Sequence, residues 1–93
     1  MQQIVISACH GGFGLSDKAQ LLYLELTGYN LAEYHWEIAR DDPMLVHTVL
    51  RLGAAANTPY SKLKVVEIPD GVTWTIHEYD GLEWIAEAHR TWS

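Results

Sequence analysis

The chain has 93 residues, a length that fits one small domain with a limited core. Its 48% hydrophobic content argues against a disordered chain. The four Trp and five Tyr have more aromatic surface than so small a core readily buries. The formal net charge of −6 argues against free nucleic acid or an anionic membrane surface as a partner, because binding either one needs a basic patch.

The N-terminal part of the chain predicts a strand, a helix and a second strand. A buried strand is predicted over residues 2–8, around the apolar run Ile4, Val5 and Ile6. A helix is predicted over residues 16–27, with Ser16 as its N-cap and Gly28 beyond its C-terminus. Alternating apolar side chains predict the second strand over residues 33–38.

A second helix is predicted to begin at Asp42, where an aspartate N-cap is followed by Pro43 in the first turn. Its buried side chains recur at helical spacing, and Asn57 or Pro59 is expected to end it. The second helix therefore follows the second strand directly, which is the alternation of an α/β chain.

Three strands are predicted in the C-terminal third. The first two cover residues 62–68 and 72–79 and are joined by the Pro-Asp-Gly turn at 69–71. The Asp-Gly pair at 80–81 is typical of a β-hairpin turn. Residues 82–90 alternate as a last strand would, although their apolar spacing also fits a helix. The order is βαβα followed by a C-terminal β-meander, and residues 1–93 are predicted to form a single α/β or α+β domain.

The single cysteine, Cys9, excludes an internal disulfide and fits a reducing cytosol. No apolar segment approaches the ~20 residues that span a bilayer. The N-terminus lacks the cationic flank and cleavage signal of a secretory leader. A cytoplasmic protein without a membrane partner is therefore expected.

The most informative stretch is CHGGFGLS at residues 9–16, between the first strand and the first helix. Its glycines allow close backbone approach, and a turn that feeds a helix N-terminus presents unpaired N–H groups to an anion. Both nucleotide motifs are incomplete, because Asp17 stands where a dinucleotide fingerprint needs glycine and a phosphate loop needs a lysine. The stretch is either an anion-binding turn or a tight strand-to-helix turn. Its candidate ligand-binding residues are His10, Gly11, Gly12, Phe13, Gly14 and Ser16.

Catalytic and metal-binding patterns are weak. The five histidines and Cys9 lack the H-x-x-x-H or C-x-x-C spacing of a zinc site, so no metal is expected. His89 begins an H-x-T sequence like that of two-histidine phosphoesterases, but a second copy is missing. No nucleophile elbow occurs. The residues favour a binding protein without a cofactor over an enzyme.

Arginines and tryptophans supply the remaining candidates for a ligand site. Arg40 and Arg90 could each clamp a phosphate with two hydrogen bonds, and a surface salt bridge with an acid is the alternative for both. Trp84 and Trp92 are expected to be exposed and could stack a base. If residues 82–90 form a strand, Arg90 and Trp92 share a face with Trp84.

Acidic residues are concentrated in residues 65–88, which contain no Lys or Arg. The acids of this segment are Glu67, Asp70, Glu78, Asp80, Glu83 and Glu87. The segment is either a solvated face or a surface that meets a basic protein, including one that normally binds nucleic acid.

Taken together, the glycine turn and the C-terminal segment resemble a family of small phage-encoded proteins. The segments that carry the resemblance are CHGGFGLS at 9–16, KVVEIPD at 64–70, EYDG at 78–81 and HRTW at 89–92. The resemblance covers most of the chain. A short acidic phage protein without catalytic motifs implies an accessory or anti-defence factor, and one class of these sequesters nucleotide immune signals in aromatic, glycine-lined pockets, usually as oligomers.

The leading hypothesis is a nucleotide-signal sponge in the cytoplasm of the infected host cell. It would bind a cyclic dinucleotide or an ADP-ribose derivative without turnover, as a homodimer or higher homo-oligomer. Phosphates would lie on the amides of the glycine turn, with Arg40 or Arg90 as the clamp and Trp84 or Trp92 as the stacking surface.

Two alternatives belong to other functional classes. In one, the protein presents the acidic face of residues 67–87 to a basic host enzyme and inhibits it. In the other, it is a small hydrolase of the same nucleotides that uses His10 or His89.

Overall fold

Two helices and two antiparallel strand pairs make up the part of the chain that the computed structural model describes, residues 1–28 and 38–87. In chain order the elements are β1 (Gln2–Ser7), α1 (Asp17–Thr27), α2 (Pro43–Leu52), a 3-10 helix (Gly53–Ala56), β2 (Leu63–Ile68), β3 (Trp74–Tyr79) and β4 (Leu82–Glu87). The predicted α+β class is confirmed. The strand predicted over 33–38 falls almost entirely outside the described residues.

Both described helices begin where their capping residues predict. Ser16 accepts a hydrogen bond from the Ala19 N–H at 3.2 Å, which caps α1. The Asp42 carboxylate accepts one from the Met44 N–H at 2.9 Å and caps α2. Helix α2 ends at Leu52, and the 3-10 helix carries the helical segment on to Asn57, the predicted end. In the described residues, no helix is long and apolar enough to cross a membrane.

The strands divide into two separate sheets. Strands β1 and β2 pair antiparallel with Val5 opposite Val65. Strands β3 and β4 form a hairpin with Ile76 opposite Ile85, so residues 82–87 are a strand and not a helix. Among the described residues, β2 pairs with β1 and not with β3, so the three C-terminal strands do not form one continuous sheet.

The β1–β2 sheet lies between the helices and the hairpin. On one face, Val5 packs in a core cluster with buried residues of α1 and α2. On the other face, Ile4 and Ile6 pack against Trp74, Ile76 and Ile85 of the hairpin. Because β1 is covered on both faces, its central residues 4–6 are all apolar and do not alternate with polar ones.

Candidate functional site

The glycine turn at residues 9–14 is packed against two other loops. A Cβ atom on Gly11 would overlap the carbonyl oxygen of Tyr60. One on Gly81, in the β3–β4 turn, would overlap the carbonyl oxygen of His10 and lie 2.7 Å from the Gly12 nitrogen. Only glycine permits such close backbone contact. These two glycines therefore bring three segments of the chain together, which is a structural role.

Ser16 is occupied by contacts that hold the start of α1. Its hydroxyl accepts from Ala19 N–H and donates to the carbonyl oxygen of Ala55 at 2.6 Å. Its own N–H donates to the carbonyl oxygen of Ala56 at 2.9 Å. The 3-10 helix thus lies against the N-terminus of α1. A phosphate bound by Ser16 would have to replace these hydrogen bonds.

Replacing Ser16 by alanine is expected to lower the free energy of unfolding by about 1–2 kcal/mol, the cost of removing a helix cap. Urea denaturation of the variant and of wild type measures this difference. The control is Lys18→Ala, an exposed change in the same helical turn, for which we expect a shift within about 0.5 kcal/mol. Equal stability of Ser16→Ala and wild type would contradict the structural role of the hydroxyl.

Arg40 forms a two-pronged ion pair with Glu83 of β4. Its Nη1 donates to Oε1 at 2.7 Å and its Nη2 to Oε2 at 2.9 Å, the parallel geometry that guanidinium and carboxylate groups favour. The guanidinium carbon also lies 3.8 Å from the centre of the Phe13 ring, close enough for a cation–π contact. This pairing links the glycine turn to the hairpin.

The same pair closes the edge of β1 that does not face β2. The N–H of Val5 donates to the Arg40 carbonyl oxygen at 2.8 Å, and the Val5 carbonyl accepts from Arg40 Nη1 at 3.2 Å. The N–H of Ser7 donates to Glu83 Oε1 at 2.8 Å. An open strand edge is prone to unwanted pairing, and these bonds occupy outward backbone groups of Val5 and Ser7.

Burial and hydrogen bonding act in opposite directions on Glu83. Burial raises the pKa of its carboxyl group, whereas the hydrogen bonds from Arg40 and the Ser7 N–H, together with the positive charge of Arg40, lower it below the ordinary value of 4.5. The lowering prevails. Glu83 is 8% exposed and Arg40 is 22% exposed, so the ionised pair is largely shielded from water.

Arg40 therefore has the salt bridge that was the alternative to a phosphate clamp. A phosphate could reach its paired nitrogens only by displacing the Glu83 carboxylate. The other predicted clamp and stacking residues, Arg90 and Trp92, lie outside the described residues, as does His89.

The outward side of the β3–β4 hairpin carries a second candidate surface, which we name the hairpin face. Its members alternate along the two strands and are Thr75, His77, Tyr79, Leu82, Trp84 and Ala86. None of them is Asp, Glu, Lys or Arg. Tyr79 is 71% exposed and Trp84 is 44% exposed. The ring centroids of His77 and Trp84 lie 5.9 Å apart, and with Tyr79 they form an aromatic surface that is open to solvent.

The hairpin face and Arg40 lie on opposite sides of β4. Glu83 directs its carboxylate to Arg40, and adjacent side chains in a strand point to opposite faces, so Trp84 points away from that pair. The structure thus brings Arg40 together with Phe13 but does not bring Trp84 to them. His77 was not predicted as a neighbour of Trp84. The Asp-Gly turn fixes the strand register and could have identified this pair.

Exposed acidic residues lie close to the hairpin face along the chain. Glu78 and Asp80 are exposed at the end of β3 and in the following turn. Glu67 and Asp70 are exposed at the end of β2 and beyond it, and Asp70 contacts the N-terminal ammonium at 3.3 Å. Of the six acids, Glu83 alone is buried. The segment from 65 to 87 therefore presents negative charge with no cation of its own.

Neither a metal site nor a relative identifies the function. Within residues 1–28 and 38–87, no group of three or more His, Cys, Asp or Glu side chains could hold a metal ion. Comparison of the chain with family models, with curated proteins and with solved structures gives no match. The resemblance to small phage proteins accordingly stays a prediction.

Proposed function

We propose that this protein acts by binding, without chemistry, and that the hairpin face meets a basic surface of a protein partner. The observation that carries the proposal is an exposed aromatic face without Asp, Glu, Lys or Arg, on a segment whose Asp and Glu residues are not matched by any Lys or Arg. Trp and Tyr are the residues that most often dominate binding energy at protein interfaces. Two of them, Trp84 and Tyr79, are open to solvent here.

Charge and aromatic chemistry select the same kind of partner. The faces of Trp and Tyr rings attract the guanidinium of arginine, a contact worth about 0.5–2 kcal/mol. Exposed acids such as Glu78 and Asp80 would speed the encounter with a positive surface and would disfavour negative partners. A partner surface rich in arginine therefore satisfies both features of the hairpin.

The phage resemblance suggests a biological setting for such binding. A small acidic protein of this kind would inhibit a basic host enzyme by covering the surface with which that enzyme binds nucleic acid. The competing proposal, sequestration of a nucleotide signal, has less support from the described geometry. Within the described part of the hairpin no Lys or Arg stands beside Trp84 to hold phosphates, and Arg40 is paired with Glu83, whereas the predicted clamp Arg90 lies outside the described residues.

Replacing Trp84 by alanine is expected to weaken binding to an octapeptide of alternating arginine and glycine by about tenfold, from the loss of one cation–π partner. Isothermal calorimetry on wild type and variant measures the change. Because Trp84 is 44% exposed and packs outside the core clusters, the variant should keep its stability within about 0.5 kcal/mol.

The matched control is Tyr60→Ala, which removes an aromatic ring that is 74% exposed but lies outside the hairpin. It should bind the arginine peptide as wild type does. An equal loss of affinity for the peptide in Trp84→Ala and Tyr60→Ala would show that the peptide contacts aromatic rings nonspecifically, and it would contradict the proposal. Retention of a cyclic dinucleotide or ADP-ribose, with no affinity for the peptide, would favour nucleotide sequestration.

A further inference from the structure

The outer edge of β2 is open in the part of the chain that the structure describes. The Ala8 N–H donates to the Lys62 carbonyl oxygen at 2.7 Å, which fixes the phase of the β1–β2 ladder. In antiparallel pairs the residues that bond to the partner strand alternate with those that do not. With Ile6 opposite Lys64, the backbone groups of Val65 and Glu67 point away from β1.

Along this edge, one backbone N–H that points away from β1 has a hydrogen-bond partner among the described residues, and it belongs to Leu63. The Leu63 N–H donates to the side-chain oxygen of Asn57 at 2.7 Å. Beyond it, Val65 and Glu67 have no strand beside them within the described ranges. By contrast, Arg40 and Glu83 close the far edge of β1. Among the described residues, the outer edge of β1 is therefore hydrogen-bonded at Val5 and Ser7, and the outer edge of β2 has no partner at Val65 and Glu67.

A groove of about 340 Å³ adjoins the open edge. It is lined by Val49 and Leu50 of α2 and by Leu63 and Val65 of β2, with Lys62 and Asn57 also in its wall. Its volume falls within the range of small-ligand sites, which begins at about 300 Å³. A strand added beside β2 would place every second side chain on the helix side of the sheet, over this groove.

Positive charge marks the first half of the same edge, whereas the exposed Glu67 lies towards its other end. Lys62 precedes β2 and Lys64 lies within it, and both are exposed. Neither pairs with a carboxylate in the described part of the chain. Cross-strand neighbours of opposite charge stabilise paired strands, so the side chains of an added strand that flank these lysines should be acidic.

We propose that β2 binds an extended acidic peptide by strand addition. The main chain of the peptide pairs with the outward groups of Val65 and Glu67. Its apolar side chains enter the groove, and its alternate acidic side chains lie beside Lys62 and Lys64. In this mode the backbone bonds provide affinity and the groove provides specificity. The site is separate from the hairpin face, and the two would bind partners of opposite charge.

The test is a titration of the isotope-labelled protein with a blocked hexapeptide of alternating glutamate and valine, followed by amide NMR spectra. We expect saturable shifts at Val65, Glu67 and Val49, with Trp84 unaffected. A peptide N-methylated at its valine amides should not bind, because the residues opposite Val65 and Glu67 then lack main-chain donors. Binding of the N-methylated peptide, or no shift at β2 at about 1 mM peptide, would overturn the proposal.

Two pairs of variants separate charge from edge pairing. Lys62→Glu should weaken binding by about tenfold or more, whereas Lys18→Glu on α1 should bind as wild type. Glu67→Pro removes an outward N–H without breaking the β1 ladder and should abolish binding, whereas Glu67→Ala should retain it. Equal affinity in all four variants would overturn strand addition. Strand addition by a peptide would also be overturned if light scattering gave the mass of a dimer and the peptide did not bind to β2 in that dimer. A second copy of the chain would then occupy the edge.

Discussion

Replacing Gly81 by alanine should destabilise this protein by about 2–5 kcal/mol, a large share of the stability of a small domain. The backbone at Gly81 has φ near 90°, which costs other residues about 1–2 kcal/mol. Its Cβ would also overlap the carbonyl oxygen of His10, a backbone atom that cannot move aside without shifting the glycine turn. Overpacking of this kind adds about 1–3 kcal/mol. Urea denaturation measures the sum.

Gly71→Ala is the matched control. Gly71 also has positive φ, at 82°, but no atom lies within 4 Å of the place where its Cβ would be. Its replacement should cost only the backbone strain of about 1–2 kcal/mol. The difference between the two variants isolates the contact between the β3–β4 turn and the glycine turn. If both variants lost the same stability, that contact would not hold these loops together.

Arg40→Leu should lower the free energy of unfolding by about 3–5 kcal/mol, because removing one member of a buried ion pair leaves the other charge uncompensated. Glu83 would remain buried, with the Ser7 N–H as its remaining hydrogen-bond donor in the described structure. Adding Glu83→Gln to this variant removes the charge and keeps an acceptor for Ser7. The double variant should recover part of the loss, as chemical denaturation would show. A loss of less than about 1 kcal/mol in Arg40→Leu, typical of a surface pair, would contradict the structural role.

The Arg40–Glu83 pair also predicts a dependence of stability on pH. The pKa of Glu83 is lower in the folded protein than its ordinary value of 4.5, so the unfolded chain takes up the proton first as pH falls. The contribution of Glu83 is therefore complete above the ordinary value and is lost as pH falls through the lower folded pKa. In Glu83→Gln this part of the acid destabilisation should be missing. If the free energy of unfolding changed with pH in the same way in wild type and in Glu83→Gln, this prediction would be contradicted.

Local sequence signals predicted most of the described fold because each one acts within a few residues. Ser16 and Asp42 cap their helices through hydrogen bonds to N–H groups two or three residues away. Asp80 and Gly81 both have positive φ, as a tight hairpin turn requires. Such signals specify where elements begin and end. Apart from the β3–β4 hairpin that the Asp80-Gly81 turn joins, they carry no information on which strand pairs with which, and the pairing of β2 with β1 was not predicted.

Whether the predicted site residues are free to bind a ligand depends on contacts with residues that are distant in sequence. Arg40 and Glu83 are 43 residues apart, and nothing local to either one indicates that the other neutralises it. Gly11 was predicted as part of an anion-binding turn, and the residues around it gave no sign of its close contact with the Tyr60 backbone. The exposure of Trp84 was predicted correctly, because it lies on the outward side of a hairpin. The exposure of a side chain can be inferred from the alternation of residues along a strand. Whether several side chains meet at one ligand cannot be inferred in this way.

One titration tests the proposed binding function most directly. Amide and indole NMR signals of the wild-type protein are followed while the arginine–glycine octapeptide is added, and in a parallel experiment while ADP-ribose or a cyclic dinucleotide is added. We expect the peptide to shift the Trp84 indole and the Tyr79 and His77 amides, with no response to the nucleotides. Shifts at Gly11, Gly12 and Phe13 with nucleotide, and none on the hairpin face with peptide, would contradict the proposal.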